Sequence, residues 1–295
     1  MSPSDRFLIR IADITCAVSS ADPALRMALD ECLHKFLVHA GQPDVVIEAK
    51  IRDLSAFKDT GDLIFDSGAV WRLYQQNGTC SFYFESPSLG PAPYKIARMG
   101  RDFTQGEILI HGPSYEMKQT IYPLEYPLDE LLFINFLSLG RGVEVHACGL
   151  VDSNGNGHLF LGQSTAGKTT MARLWEHDLG VTILSDDRII LRKIDNQIWM
   201  YGTPWHGEAG FAAPTRAALN KVYFLRKGME NQISPLKEAE SASRFFACCF
   251  PLFYNRDAVD FTLCFFDDVA KNVPCYELSF LPDKNTVEFL STQSA

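Results

Sequence analysis

The residues best suited to chemistry form a glycine-rich segment that ends in a lysine and a threonine. Its spacing, G-x-x-x-x-G-K-T, begins at Gly162 and places Lys168 and Thr169 at its end. An apolar run precedes it and a helix-favouring run follows, so that backbone N–H groups at the helix start can surround phosphate oxygens. We predict that Lys168 reaches the terminal phosphates and that Thr169 ligates Mg²⁺. The predicted phosphate-binding residues are Gly162, Gln163, Ser164, Thr165, Ala166, Gly167, Lys168, Thr169 and Thr170.

Two adjacent carboxylates, Asp186 and Asp187, follow the next predicted strand, 181–184. A magnesium ion on phosphates needs hard oxygen ligands, and a hydroxyl acceptor needs a base for its proton, so the pair can divide these two roles. Because consecutive side chains of a strand point in opposite directions, we expect the two aspartates to differ in function or to begin a turn. The residues alone leave open which of them takes which role. The alternative is a solvated turn after a strand.

A histidine and a glycine-rich loop add further candidates. His146 lies in the apolar run 143–149, where a histidine is more often a hydrogen-bonded core residue than a catalytic one. The loop 202–210 combines glycines with polar and aromatic residues, and such loops often carry function. Its candidate acceptor contacts are Thr203, Trp205, His206 and Glu208. The alternative is a tight connection in which Trp205 is a hydrophobic plug.

Two arginines, Arg216 and Arg226, are weaker candidates for stabilising the charge of a transferring phosphoryl group. A lone arginine is more often a surface residue, and for this reason both rank below the other candidates.

These candidates need elements to position them. From residue 143 onward, apolar runs separated by glycine turns predict a nucleotide-binding α/β unit with a central sheet buried on both faces. A helix begins at Leu128, and a hairpin over 189–201 turns at Asp195-Asn196. The first part of the chain is strand-rich α+β, with an amphipathic helix from Asp22-Pro23 to Gly41 and a tight turn at Asn77-Gly78. We therefore predict two domains, 1–125 and 126–295.

Composition narrows the class of protein. The chain has 295 residues and a formal net charge of −9, which argues against a nucleic-acid partner, whose phosphates need clustered Lys and Arg. The eight cysteines form no Cys-x-x-Cys pair, and we expect most to be buried thiols, as suits a reducing cytoplasm. No apolar run approaches the roughly 18 residues of a membrane helix, and no signal peptide is evident. The expectation is a soluble, cytoplasmic protein without a membrane partner.

The motifs together resemble a known family. The run His146-Ala-Cys-Gly149, the loop GQSTAGKTT and the closely following LSDDR are similar to the catalytic domain of HPr serine kinase/phosphorylase and its relatives. That family shares a nucleotide-binding core with phosphoenolpyruvate carboxykinases, so the resemblance implies an α/β fold with a P-loop core and a central mixed sheet. It covers roughly residues 128 to 282.

The resemblance also implies roles for single residues. Thr169 and Asp186 would hold Mg²⁺, Asp187 or its neighbour would be the base toward a serine hydroxyl, and His146 would lie in the active site. Glu208 is a weaker magnesium or acceptor contact.

These roles describe an ATP-dependent kinase. Thr165 departs from the glycine that kinases of HPr usually have, and the first 125 residues do not resemble their N-terminal domain. The chain is more similar to HPr-kinase-related proteins of bacterial peptide-modification clusters, including lasso-precursor peptide kinases. The expected acceptor is therefore a serine of a peptide or protein, and the cofactors are ATP and Mg²⁺. The alternatives are a kinase for a small hydroxylated metabolite and a nucleotide-binding sensor or scaffold, and a homo-oligomer is compatible with either.

Overall fold

The structure, a computed structural model, describes residues 6–57, 61–115 and 120–292. The chain divides into two compact units, Met1–Phe136 and Leu137–Ala295. This division falls inside a helix, Leu128–Ser138, that begins where the sequence predicts it. The domain limits 1–125 and 126–295 stay a prediction. None of the helices in the described ranges is both long and apolar enough to span a bilayer.

The N-terminal unit is built on one mixed sheet of eight strands in the order β1-β2-β3-β8-β7-β6-β5-β4. The neighbours β2/β3 and β3/β8 are parallel and the other pairs antiparallel. The predicted tight turn at Asn77-Gly78 joins β5 to β6 with positive φ at both residues. The strands are β1 (Arg6–Ile11), β2 (Ile14–Ser19), β3 (Val45–Arg52), β4 (Asp62–Asp66), β5 (Trp71–Gln76), β6 (Thr79–Phe84), β7 (Lys95–Gly100) and β8 (Gln105–His111).

The long helix predicted from Asp22 to Gly41 is wrong. Only α1 (Glu31–His34) is helical in this stretch, capped by the Asp30 side chain. The N–H of Ala28 donates to the carbonyl of Ile121, and the N–H of Ile121 donates to the carbonyl of Arg26. This strand-like pairing with a distant residue uses the backbone groups that a helix would need. Three of the apolar residues at helical spacing, Leu25, Leu33 and Phe36, are buried without the long helix.

The C-terminal unit contains the second sheet, of mixed direction, in the order β10-β9-β12-β13-β14-β16-β15, with β11 also paired to β9. An additional parallel pairing of β10 with β14 closes a ring of five strands, β10-β9-β12-β13-β14. The predicted hairpin is confirmed as β12 and β13, which turn at Asp195-Asn196. Its strands are β9 (Val143–Val151), β10 (Gly157–Leu161), β11 (Thr182–Ser185), β12 (Arg188–Ile194), β13 (Gln197–Gly202), β14 (Arg216–Lys227), β15 (Gln232–Pro235) and β16 (Cys275–Phe280).

Helices cover both faces of this sheet, as the sequence predicts. The helices after α2 (Leu128–Ser138) include the two predicted near 236–248 and 257–268. They are α4 (Glu238–Phe246) and α5 (Arg256–Asn272). One cluster of buried residues joins strand residues such as Val222 and Phe224 to Phe245 and Phe266 of α4 and α5. The other joins Tyr223 and neighbouring residues to α3 and α6. The helices are α3 (Lys168–Trp175), α4 (Glu238–Phe246), α5 (Arg256–Asn272) and α6 (Asn285–Thr292).

All eight cysteines are free thiols. Contrary to the expectation that most are buried, only four are, namely Cys16, Cys148, Cys248 and Cys275.

Candidate phosphate-binding site

The glycine-rich loop connects β10 to α3, as the motif requires, and its two glycines are packed too closely to carry a side chain. A Cβ on Gly162 would come within 2.5 Å of the Ala166 Cβ. A Cβ on Gly167 would come within 2.6 Å of the Phe280 ring, and Gly167 has a φ of +110°. Thr165 also lies in the left-handed region, at φ +70°. The loop is thus a tight turn held against the core.

Replacing Gly167 by alanine tests this packing. We expect the G167A variant to lose about 2–4 kcal/mol of unfolding free energy, because backbone strain and overlap with the buried Phe280 ring add together. Gly155 provides the matched control, since it has a φ of +86° with nothing within 4 Å of its added Cβ. G155A should lose only the unfolding free energy that corresponds to backbone strain, about 1 kcal/mol. Equal losses in urea unfolding would contradict the close packing of Gly167 on Phe280.

Lys168 opens helix α3 and is folded back onto its own loop. Its Nζ donates to the carbonyl oxygens of Gly162 at 2.8 Å and Gln163 at 3.1 Å. Burial lowers the pKa of Lys168, and the charge of Asp187 works against this shift. A phosphate bound at the helix start would offer this amine an anionic partner in place of neutral carbonyls.

The outer part of the loop is open. Three of its residues are exposed, namely Gln163, Ser164 and Thr165. The others that the motif assigns to phosphate binding are partly or fully buried: Gly162, Ala166, Gly167, Lys168, Thr169 and Thr170.

Asp186 is a buried carboxylate held by main-chain donors. It is 1% exposed, and its Oδ1 and Oδ2 accept hydrogen bonds from the N–H groups of Gly207 at 3.0 Å and Ala209 at 3.2 Å. A Cβ on Gly207 would come within 2.6 Å of Asp186 Oδ2, so glycine allows this approach. The loop 202–210 therefore reaches the acidic pair through its backbone.

Asp187 has different partners from Asp186, and both residues lie in the bend between β11 and β12, which is the turn that the sequence analysis gave as one alternative. Its Oδ1 lies 2.9 Å from His146 Nε2, and its Oδ2 accepts a hydrogen bond from Arg188 Nη1. Burial alone would raise the pKa of Asp187, but the hydrogen bond from His146 and the positive charges of Arg188 and Lys168 outweigh burial and hold it below its usual value. Asp187 is therefore ionised at neutral pH.

His146 lies beside the acidic pair and is only partly buried. Its side chain is 26% exposed and contacts Asp187. It lies opposite Arg188 across the β9–β12 pair. Its backbone N–H donates to the carbonyl of Cys248 at 2.7 Å, which ties β9 to the segment after α4.

The side chains of loop 202–210 separate into two groups. Thr203 and Trp205 are buried, and the carbonyl of Trp205 accepts a hydrogen bond from Ser185 Oγ, so these two residues support the loop. His206 and Glu208 are exposed.

The two arginines lie in different settings. Arg216 places its guanidinium 4.4 Å from the centre of the Trp199 ring and donates to the Tyr201 hydroxyl. These contacts hold the guanidinium against β13. Arg226 is 71% exposed at the end of β14, near the loop.

Arg188 and its neighbours escaped the sequence analysis. The Arg188 guanidinium lies 4.2 Å from the centre of the Phe250 ring, and its Nε is 3.8 Å from Oε1 of the buried Glu144. Arg188 could have been suspected because it follows the acidic pair, whereas nothing marks Glu144 or Phe250. Together these residues fix the guanidinium that holds Asp187.

The donor set suits a magnesium nucleotide better than a metal held by protein alone. In the ranges that the structure describes, no group of three or more His, Cys, Asp or Glu side chains is arranged to hold a metal ion. Magnesium commonly takes one or two carboxylates and fills its other positions with phosphate oxygens and water. Asp186 and the Thr169 hydroxyl at the start of α3 are the residues that would hold such an ion.

Comparisons with known proteins give a remote likeness. No family model matches the chain, and no curated protein does. The solved structure of the HPr(Ser) kinase/phosphatase from Coxiella burnetii is similar at 13% identity over 51% of this chain and 95% of that chain, with a TM-score of 0.30. A likeness of this size carries no conclusion about activity, which has to come from the site itself.

Proposed function

We propose that this chain binds Mg²⁺-ATP on the loop between β10 and α3 and transfers the terminal phosphoryl group to a hydroxyl of a peptide or protein. The observation that carries the proposal is the meeting of the loop lysine with an acidic pair at one site. Leu161, the last residue of β10 before the loop, pairs with Ala147 of β9, and the N–H of Ala147 donates to the carbonyl of Asp187 at 3.1 Å. Phosphoryl transfer needs this combination of cationic, metal-binding and acceptor-orienting groups.

Each residue has a defined task in the proposed reaction. The loop amides and Lys168 hold the phosphates, and Thr169 and Asp186 hold Mg²⁺, which neutralises charge on the phosphate oxygens. The acceptor oxygen forms a bond to the γ-phosphorus as the bond from that phosphorus to the β,γ-bridging oxygen breaks, which releases ADP. Asp187, oriented by His146 and Arg188, receives the hydroxyl proton.

Exposure within the C-terminal unit favours a large acceptor. The Asp187 side chain is 28% exposed, and the outer loop residues and His206 and Glu208 are exposed as well. Sites for small molecules usually bury most of the ligand surface. A peptide or protein serine supplies its own cover, and a lasso-type precursor peptide is one member of that class.

The test is transfer of label from [γ-³²P]ATP with Mg²⁺ to three fractions of a lysate of the source cells: proteins, peptides and small molecules. We expect label on a peptide or protein, and none with Asp187→Asn. Label found in small molecules would establish a metabolite kinase instead. Tight ATP binding without transfer to any fraction would contradict the kinase proposal and favour the sensor.

A further inference from the structure

Two different surfaces lie next to Asp187, the proposed base. One is the backbone of loop 202–210, because a Cβ added to Gly207 would come within 3.4 Å of the Asp187 Cβ. The other begins with His146, whose Nε2 lies 2.9 Å from Asp187 Oδ1. The ring of Phe250 lies beside this histidine, with 6.1 Å between the two ring centres. An acceptor hydroxyl at Asp187 therefore has polar main chain near it on one surface and an aromatic ring on the other.

A short segment after α4 places Phe250 on the face of the sheet that carries the His146 side chain. The N–H of His146 donates to the carbonyl of Cys248 at 2.7 Å, and Val145 forms an isolated antiparallel bridge with Cys249. Val145 and Cys249 both pack into the cluster of apolar residues beneath α4 and α5. Because consecutive side chains of an extended segment alternate, Phe250 points to the opposite face. The ring contact with His146 agrees with this direction.

Part of the Phe250 ring stays accessible beside the base. The Arg188 guanidinium lies over the ring, 4.2 Å from its centre, and so covers one of its two faces. The residue as a whole is only partly buried. The remaining apolar surface gains free energy when another apolar side chain removes it from water.

A peptide that brings a serine oxygen to Asp187 also brings the neighbouring residues to these two surfaces, because consecutive Cα atoms are only roughly 3.8 Å apart. On one flank of the serine, an apolar side chain would meet the Phe250 ring. On the other flank it would meet loop 202–210, whose His206 and Glu208 are exposed. The site therefore favours an apolar residue on one flank of the serine only.

We propose that Phe250 binds an apolar side chain next to the acceptor serine, and that the chain therefore selects serines with a large apolar residue on one flank. The inference rests on the proposed function, because it assumes that the acceptor is a serine of a peptide or protein. The contact of Phe250 with Arg188 is a second, structural role, which the test has to separate from the first.

The test measures transfer of label from Mg²⁺-[γ-³²P]ATP to short synthetic peptides that have one central serine and carry either leucine or glutamine at each flanking position in turn. Leucine and glutamine have similar volumes, so the ratio of their transfer rates reports apolar recognition. We expect leucine to be preferred about tenfold on one flank, and this ratio to fall to about twofold or less in Phe250→Ala. A disturbed Arg188 would lower the rates with both peptides by the same factor and leave their ratio unchanged.

Two further variants serve as controls. Phe250→Leu keeps an apolar side chain at the same position and should retain most of the preference for leucine. Phe253→Ala is the matched control, because Phe253 belongs to the same segment, is 72% exposed and lies against Phe246 of α4, with 6.4 Å between the ring centres. It should keep the full ratio.

Three results with the synthetic peptides would overturn the inference: equal rates for leucine and glutamine in the unaltered chain, a ratio that Phe250→Ala leaves unchanged, or an equal fall of the ratio in Phe253→Ala. Label on proteins or peptides of a lysate but on none of the synthetic peptides would also overturn it, while supporting the proposed function. Absence of label from every peptide and protein, synthetic or from the lysate, would contradict the proposed function itself, and the inference with it.

Discussion

Replacing Lys168 by alanine is expected to lower the rate of phosphoryl transfer by about 10²–10³-fold, the loss typical of a removed charge-stabilising group. Lys168 is 6% exposed, and its amine is held at the start of α3 by two carbonyls of the loop. The measurement is the single-turnover rate with saturating Mg²⁺-ATP.

Lys193 provides the control for this substitution. Its amine pairs with the Asp268 carboxylate at 2.8 Å on the surface of the same unit. Lys193→Ala should transfer phosphate at the unaltered rate, because an exposed ion pair contributes little to the stability of the fold. A Lys168→Ala variant that kept the full rate would show that the loop lysine has no part in the reaction.

Asp187→Asn is expected to leave nucleotide binding intact and to reduce transfer by about 10²–10⁴-fold, as removal of a general base does. The amide keeps the volume of the side chain but cannot receive the acceptor proton. It also loses the charge that pairs with Arg188 and His146. Asp268→Asn, at the surface carboxylate that pairs with Lys193, is the control and should retain both binding and transfer. Equal transfer rates in the two variants would remove Asp187 from the mechanism.

The stability of the same variant should depend on pH. The folded-state pKa of Asp187 is lowered from its ordinary value of 3.8, so its ionised form stabilises the fold. This contribution is present above pH 3.8 and is lost as the pH falls from there through the lowered pKa. We therefore expect the difference in unfolding free energy between the unaltered chain and Asp187→Asn to shrink as the pH falls below 4, measured by urea unfolding. A difference that grew on acidification would contradict the pairing of Asp187 with His146 and Arg188.

Sequence patterns predicted the elements that local interactions determine. The hairpin at Asp195-Asn196 and the helix that begins at Lys168 depend on turn residues and on periodicity within a short window. The stretch that follows Asp22 failed because its backbone pairs with Ile121, roughly a hundred positions away. Strands β15 and β16 and helix α6 were also missed. β16 lies between β14 and β15, so its register depends on partners distant in sequence.

The candidate site likewise combines residues that the local sequence marks with contacts that depend on distant parts of the chain. The residue types and spacing of Lys168 and the acidic pair marked them directly, because the chemistry of phosphates restricts which residues can serve. The contact of His146 with Asp187 depends on the β9–β12 register. The donors to Asp186 are backbone N–H groups of Gly207 and Ala209, which no residue type reveals. Phe250 reaches Arg188 only because the segment after α4 folds back to β9.

The most direct test of the central claim, that the loop binds a magnesium nucleotide, is a calorimetric titration of the chain with ATP, with and without Mg²⁺. We expect saturable binding that weakens when Mg²⁺ is removed and weakens again in Lys168→Ala, because each change removes one cation that would bind the phosphates. No saturable binding, or binding of equal strength with Mg²⁺, without Mg²⁺ and in the Lys168→Ala variant, would contradict the assignment of this loop to phosphate binding.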